Sequence, residues 1–281
     1  MQNIEVHQWL TALNNANSLI KLSVFLVSWA VIWLPIVVPL GWLLKWSPSA
    51  QISNTQKLFL LTSLYLIAPF LVWGMIQVEK VSLAEYGLTW QVSLFQSILF
   101  GLSLGIFSIL LIYFIESCLG WLRWQPENLN QLFPQALLFL IIGLFVSVIE
   151  ELIFRGLFFS ILLEDYNIWV AACISSLIFA LLHLVWERKT TLPQLPGLFG
   201  MGMVLILARF IDHGSLGLAI GLHGGWIFSL TCLDTFNLYR YTNKGNSWIA
   251  GKPGQPLVSI AGISVLVFTA FLLWFVDSFV V

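Results

Sequence analysis

The sequence predicts an all-α, polytopic membrane protein of about eight transmembrane helices around an intramembrane polar cavity. Three observations carry this. Of 281 residues 59% are hydrophobic and only 9% charged, with a mean hydropathy of +0.93; no soluble domain of this length has an interior large enough for so much apolar surface. Apolar runs close to the ~20 residues that cross a bilayer recur along the whole chain. Inside one of them, at VIEELIFRG from Val148 to Gly156, stand two adjacent carboxylates and an arginine. Even on the lenient insertion scale each costs roughly 2.5–3.5 kcal/mol in hydrocarbon, so a cluster of three has a purpose.

The spans fall at about Leu19–Leu44, Leu58–Ile76, Val92–Leu122, Pro134–Leu163, Ile168–Trp186, Pro196–Ile211, Leu216–Leu233 and Leu257–Val280. The whole chain, 1–281, reads as one transmembrane domain. Pro35 and Pro39 predict a kink in the first span. The third is long enough to tilt or protrude, and the sixth, preceded by Pro193, Pro196 and Gly197, is the weakest. Trp42, Trp46, Trp90, Trp121, Trp124 and Trp186 fall at span ends, where an aromatic belt belongs. Connections are short except Asp234 to Pro256, a Gly- and Pro-containing stretch read as linker. Residues 1–17 lack the basic start of a signal peptide, so the run that follows reads as a retained span.

Charge and cysteine content exclude several classes. A net charge of −1 gives no reason to expect nucleic acid. Cys118, Cys173 and Cys232 are far apart, form no CxxC pair and read as small buried apolar residues. Lys45, Lys57, Arg123, Arg188, Lys189, Arg240, Lys244 and Lys252 gather on the odd-numbered connections, against Lys21, Lys80 and Arg209 on the other side. The positive-inside rule then puts the odd connections in the cytoplasm and both termini outside.

Within the charged run, Glu151 and Arg155 lie at i and i+4, the favourable order for a local ion pair. Glu150 points about 100° away and is left over. Gly143 and Ser147 share its stripe, so that face is thin enough to leave space beside the carboxylate. Two more polar residues occupy later spans: His183, one turn after Phe179, and His223, beside the register Gly217, Gly221, Gly225 along which a neighbouring helix can approach closely. Counting 1.5 Å per residue from the outer ends puts Glu150 about 20 Å deep, His183 about 22 Å and His223 about 10–12 Å. Ionisable residues inside spans rarely face lipid, so the three are expected to share one interior site despite that mismatch. A carboxylate with two imidazoles suits hydrolysis, as general base with water-, metal- or oxyanion-holding partners, and equally a proton or ion relay in a transporter. HExxH is absent, so no metal follows from spacing within one helix. Glu116, late in the third span, reads as structural; Glu164 and Asp165 read as a solvated turn.

The order EExxxR, FxxxH and a third His-bearing segment resembles the CPBP (CAAX protease and bacteriocin-processing, or Abi) family, which includes the type II CAAX prenyl endopeptidases. The matching positions are Glu150, Glu151, Arg155, Phe179, His183 and His223, within a family-like core of about 134–233. The resemblance implies an intramembrane endopeptidase in which Glu150 activates water, Glu151 and Arg155 support it, and His183 and His223 hold the water, stabilise the oxyanion or bind a divalent metal such as zinc. Expected partners are the lipid bilayer and a peptide or membrane-protein substrate, with a prenylated CAAX tail among the candidates. The expected location is a bacterial plasma membrane or a related organellar one. One position departs: the family commonly places Asn or Asp four residues after the third-motif histidine, and here Ile227 stands there. That keeps open a non-catalytic membrane scaffold.

Overall fold

The computed structural model of the protein describes residues 2–46, 52–185, 188–242 and 244–280. Helix α1 (Gln2–Asn14) precedes α2 (Ser18–Leu43), which Asn17 caps by accepting from the Ile20 N–H and which runs through Pro35 and Pro39 as one helix. The second span is two helices, α3 (Asn54–Tyr65) and α4 (Ala68–Glu79), interrupted at Leu66–Ile67 just before Pro69. Helix α5 (Val92–Cys118) stops short of Leu122, which belongs to strand β1 (Leu122–Trp124). After the single turn α6 (Leu129–Leu132) comes a rod of three parts: α7 (Ala136–Glu151), a π-helical segment (Leu152–Phe158) and α8 (Phe159–Asp165). Helix α9 (Ile168–Leu182) ends at His183, and the turn α10 (Arg188–Thr191) leads towards α11 (Leu195–Ile211). Helix α12 (Gly217–Thr235), strand β2 (Tyr239–Tyr241), the turn α13 (Ser247–Ala250) and α14 (Ile260–Val280) complete the chain.

This is a multi-pass, all-α membrane protein. Among the described residues, six stretches are long and apolar enough to cross a bilayer by themselves, from Ser18–Leu43 to Arg188–Ile211. Large apolar side chains such as Val27, Leu99, Phe107, Leu137, Trp169 and Phe271 point outward, as lipid contact requires. Trp42 and Trp90 are exposed at helix ends, in keeping with an aromatic belt, while Trp186 lies outside the described residues.

The stretch after Asp234 is not a plain linker. β2 pairs antiparallel with β1, Tyr241 facing Leu122 across the ribbon. The Tyr239 hydroxyl donates to Asp234 Oδ1 (2.6 Å), Tyr241 to Ala250 O (3.0 Å) and Thr242 Oγ1 to Gly120 O (2.7 Å). These bonds satisfy the backbone of a non-helical segment packed against helix ends, a pairing that connects residues over a hundred apart and leaves no local sequence mark. One charge counted as a loop charge, Lys21, is buried as well, while Glu164 and Asp165 stay exposed. Lys21 bonds Glu79 (3.0 Å) and Glu164 (2.7 Å), and Asp165 accepts from the Ser18 N–H (2.6 Å), so the Glu164–Asp165 turn anchors α2.

Helix α12 is held by backbone proximity. A Cβ on Gly221 would lie 2.7 Å from Leu102 N of α5, one on Gly101 would lie 2.8 Å from Leu222 N, and one on Gly225 would lie only 3.0 Å from Gly105 Cα. The glycine stripe on α12 therefore has a matching one on α5, as close helix pairs in membranes need. On its other side α12 lies on α7, where a Cβ on Gly143 would lie 3.2 Å from Gly224 O. Replacing Gly221 with Ala is expected to lower stability by about 1–3 kcal/mol through overpacking. Gly74→Ala, with nothing within 4 Å of the new methyl, should be neutral or stabilising. Thermal melts of the two variants in detergent check the contrast.

Candidate active site

Glu150, Glu151, Arg155 and His223 form one closed cluster, at 7%, 0%, 0% and 2% exposure. The local pair expected from spacing is present: Arg155 Nη1 donates to Glu151 Oε1 at 3.1 Å. The same oxygen also accepts from His223 Nδ1 at 2.7 Å. A carboxylate oxygen can only accept, so Nδ1 carries the proton, and in the neutral ring Nε2 is the free acceptor. That nitrogen stands 3.7 Å from Glu150 Oε2.

Glu150 is not left over. The Tyr65 hydroxyl, from the end of α3, donates to its Oε1 in a short hydrogen bond. Nor does the small face of Gly143 and Ser147 leave open space, because α12 fills it: a Cβ on Gly224 would meet Ser147 Oγ at 3.1 Å. Tyr65 was within reach of sequence reading, since a tyrosine deep inside an apolar span needs a partner for its hydroxyl. The identity of that partner, 85 residues away, was not.

The depth mismatch disappears once the start of α12 is located. The Leu216 N–H donates to Gly87 O (2.8 Å), and Leu216 Cδ1 lies 3.3 Å from where a Cβ on Gly156 would be. Gly156 is nine residues before Asp165, the end of α8. Helix α12 thus begins about 13 Å inside the bundle, and His223 reaches the level of Glu150. Asp212 makes this internal start tolerable: its Oδ2 accepts from the Leu218 N–H (3.0 Å), and its Oδ1 from Ser97 Oγ (2.6 Å).

The π-helical segment positions Arg155. Widening a helix to i→i+5 bonding leaves carbonyls to be satisfied from outside. Ser175 Oγ of α9 donates to Phe154 O (2.6 Å), while Arg209 Nη1 of α11 donates to Arg155 O. Arg209 also reaches Ser160 Oγ (3.1 Å) and Gly214 O (3.1 Å). Arg209 is therefore a buried brace, not a loop charge.

Phe179 is the hub between the remaining groups. Its ring is fully buried, with the Arg155 guanidinium 4.2 Å from its centroid, the His183 ring at 4.6 Å and the His223 ring at 6.1 Å. His183 is half-buried at the end of α9 and donates through Nδ1 to Phe179 O (2.8 Å), which turns Nε2 into the free acceptor. Among the described residues no hydrogen bond joins His183 to Glu150 or His223. Phe179 connects the two histidines instead.

A neutral imidazole in this tautomer, shared by His183 and His223, can accept through Nε2 from water or from a substrate N–H. It can donate to an oxyanion only when protonated. Among the described residues no three His, Cys, Asp or Glu side chains are placed to hold one metal ion. Ile227 packs towards α7, its Cγ2 3.5 Å from the position of a Cβ on Gly143.

Residues 131–229 match the family model described as Type II CAAX prenyl endopeptidase Rce1-like, about a third of the chain. The matched segment contains Glu150, Glu151, Arg155, Phe179, His183 and His223, the positions on which the family resemblance rests; Tyr65 lies outside. No curated protein and no solved structure matches the chain.

Proposed function

We propose, from a chain whose residues 131–229 carry the Rce1-like type II CAAX prenyl endopeptidase domain, an intramembrane endopeptidase in which Glu150 activates the hydrolytic water. The observation that supports this most directly is the pair Glu150 Oε2 and His223 Nε2, 3.7 Å apart. Two acceptors at that separation can both be reached at hydrogen-bond distance by one water beside them. Glu150 takes a proton as the water oxygen attacks the scissile carbonyl carbon, and returns it to the leaving amine as the C–N bond breaks. His223 is kept in the tautomer that faces this water by Glu151, which Arg155 in turn neutralises. His183 offers its Nε2 to the substrate or to water from the far side of Phe179.

Tyr65 is a positioning residue for Glu150. Tyr65→Phe is expected to lower kcat by about tenfold to a hundredfold, since a hydrogen bond to a charged group contributes roughly 1.5–3 kcal/mol. KM should stay unchanged, which a purely structural loss would not give. Steady-state kinetics on the purified variant separate the two.

The reading itself is tested by offering purified protein a panel of membrane-anchored peptides: prenylated CAAX tails, unprenylated tails and leader peptides. Selective cleavage of the prenylated set assigns the substrate class within the family. Loss of cleavage on chelation, restored by zinc, would move water activation from Glu150 to a metal. A second reading is favoured by Ile227, whose side chain can neither donate nor accept, and by the closure of the cluster: a non-catalytic scaffold keeping the family's helices. Failure of the wild-type protein to cut any member of the panel would choose it.

A further inference from the structure

A second site lies away from the Glu150 cluster. Between α5, α11, α12, α14 and the stretch after β2 is a cavity of about 60 Å³, partly open at its rim. Its walls are apolar, with Trp226, Val265 and Leu266 among them, and Glu116 of α5 lines it. Glu116 is 2% exposed, and neither carboxyl oxygen has a hydrogen-bond partner among the described residues. Among the described residues no lysine, arginine or histidine lines the cavity. Lys244 and Lys252 on the neighbouring stretch are exposed. The hydroxyls close by are already committed, Tyr241 to Ala250 O and Ser259 to Pro256 O.

A carboxyl group buried among hydrocarbon with nothing bonded to it is costly, and a structure that retains one gains when a donor or cation arrives. Apolar walls around a single convergent polar group are the usual build of a small-molecule site. We propose that this cavity binds the head of a single-chain alkylammonium, with the ammonium on Glu116, the first methylenes against Trp226, Val265 and Leu266, and the rest of the chain leaving through the open rim. The absence of a lining cation argues against a phospholipid amine, whose phosphate would enter with nothing to hold it. Buried ammonium–carboxylate pairing also separates an amine from an alcohol of equal length, since charge-assisted bonds are about twice as strong as neutral ones.

The test uses the full chain in detergent and a long-chain alkylamine bearing a diazirine, with the alcohol of the same chain as comparison. Cross-linked peptides are mapped by mass spectrometry. The amine is expected to label peptides of α12 and α14 that contain Trp226, Val265 or Leu266, roughly tenfold more than the alcohol does. Dodecylamine should compete. Glu116→Gln should abolish the preference for amine with an unchanged melting temperature. Val265→Trp, which adds bulk to the cavity wall and leaves Glu116 in place, should remove labelling by both probes and provides a second arm if Glu116→Gln does not fold. Equal labelling by amine and alcohol, or labelling retained in Glu116→Gln, overturns the assignment. Competition by phosphatidylethanolamine as strong as by dodecylamine overturns the choice of a free amine.

Discussion

Glu150→Gln is expected to reduce kcat/KM for peptide cleavage by about 10²–10⁴-fold, the range that a positioned general base supplies. The substitution preserves shape, and the amide oxygen can still accept from the Tyr65 hydroxyl. What disappears is the capacity to take the proton of water. Glu150 has no ion pair with Arg155; its neighbours are Tyr65 Oη and, at 3.7 Å, His223 Nε2. Neutralising it therefore strands no opposite charge, and the melting temperature should move by no more than a few degrees. Activity within a few-fold of wild type in a well-folded Glu150→Gln protein would remove Glu150 from the chemistry.

Arg155→Met should give the opposite pattern. Arg155 and Glu151 are both fully buried and directly bonded. Taking away one partner of such a pair costs about 3–5 kcal/mol, because the other charge stays behind in a medium that cannot solvate it. His223 cannot compensate without binding a proton. The guanidinium also loses its place on Phe179, 4.2 Å below it, which adds lost packing. Expression yield and melting temperature should fall together. The double variant Glu151→Gln, Arg155→Met should recover much of the loss, since removing both charges leaves none unpaired. A single Arg155→Met that melts like wild type would show that the pair contributes nothing to the fold. Glu150→Gln loses activity and Arg155→Met loses the protein, so two neighbouring charges, five residues apart, separate chemistry from structure.

How far the sequence could be read depended on how local each relation was. Glu151–Arg155 was legible because one helical turn fixes both residues. The stripe of Gly217, Gly221 and Gly225 was legible as a contact face because small residues at that interval have few other uses in lipid. The partner stripe on α5, Gly101 and Gly105, was equally visible in form, yet nothing in the sequence links the two. Tyr65 with Glu150, Arg209 with Arg155 O and β1 with β2 are pairings across 54 to over 100 residues, for which spacing offers no rule. The π-helical turn escaped for another reason: its carbonyls are bonded by Ser175 and Arg209 from other helices, partners that the residues adopting it do not reveal. His183 was correctly put on the face of Phe179, but its hydrogen bond is to that residue's own carbonyl rather than across the cluster. The depth count for His223 failed because it assumed that every span starts at the membrane surface.

That last point bears on how the protein reaches its membrane. Helix α12 is rich in glycine, is not among the stretches apolar enough to cross unaided, and starts well below the surface. Presented alone to the insertion machinery it would gain little from lipid. Its residence there comes from the groove of α5, made more than a hundred residues earlier, so biogenesis has a required order: α5 settles first and α12 is recruited onto it. A bulky side chain at Gly101 would then act before folding is complete, leaving α12 stranded in the translocation channel rather than merely loosening a finished bundle.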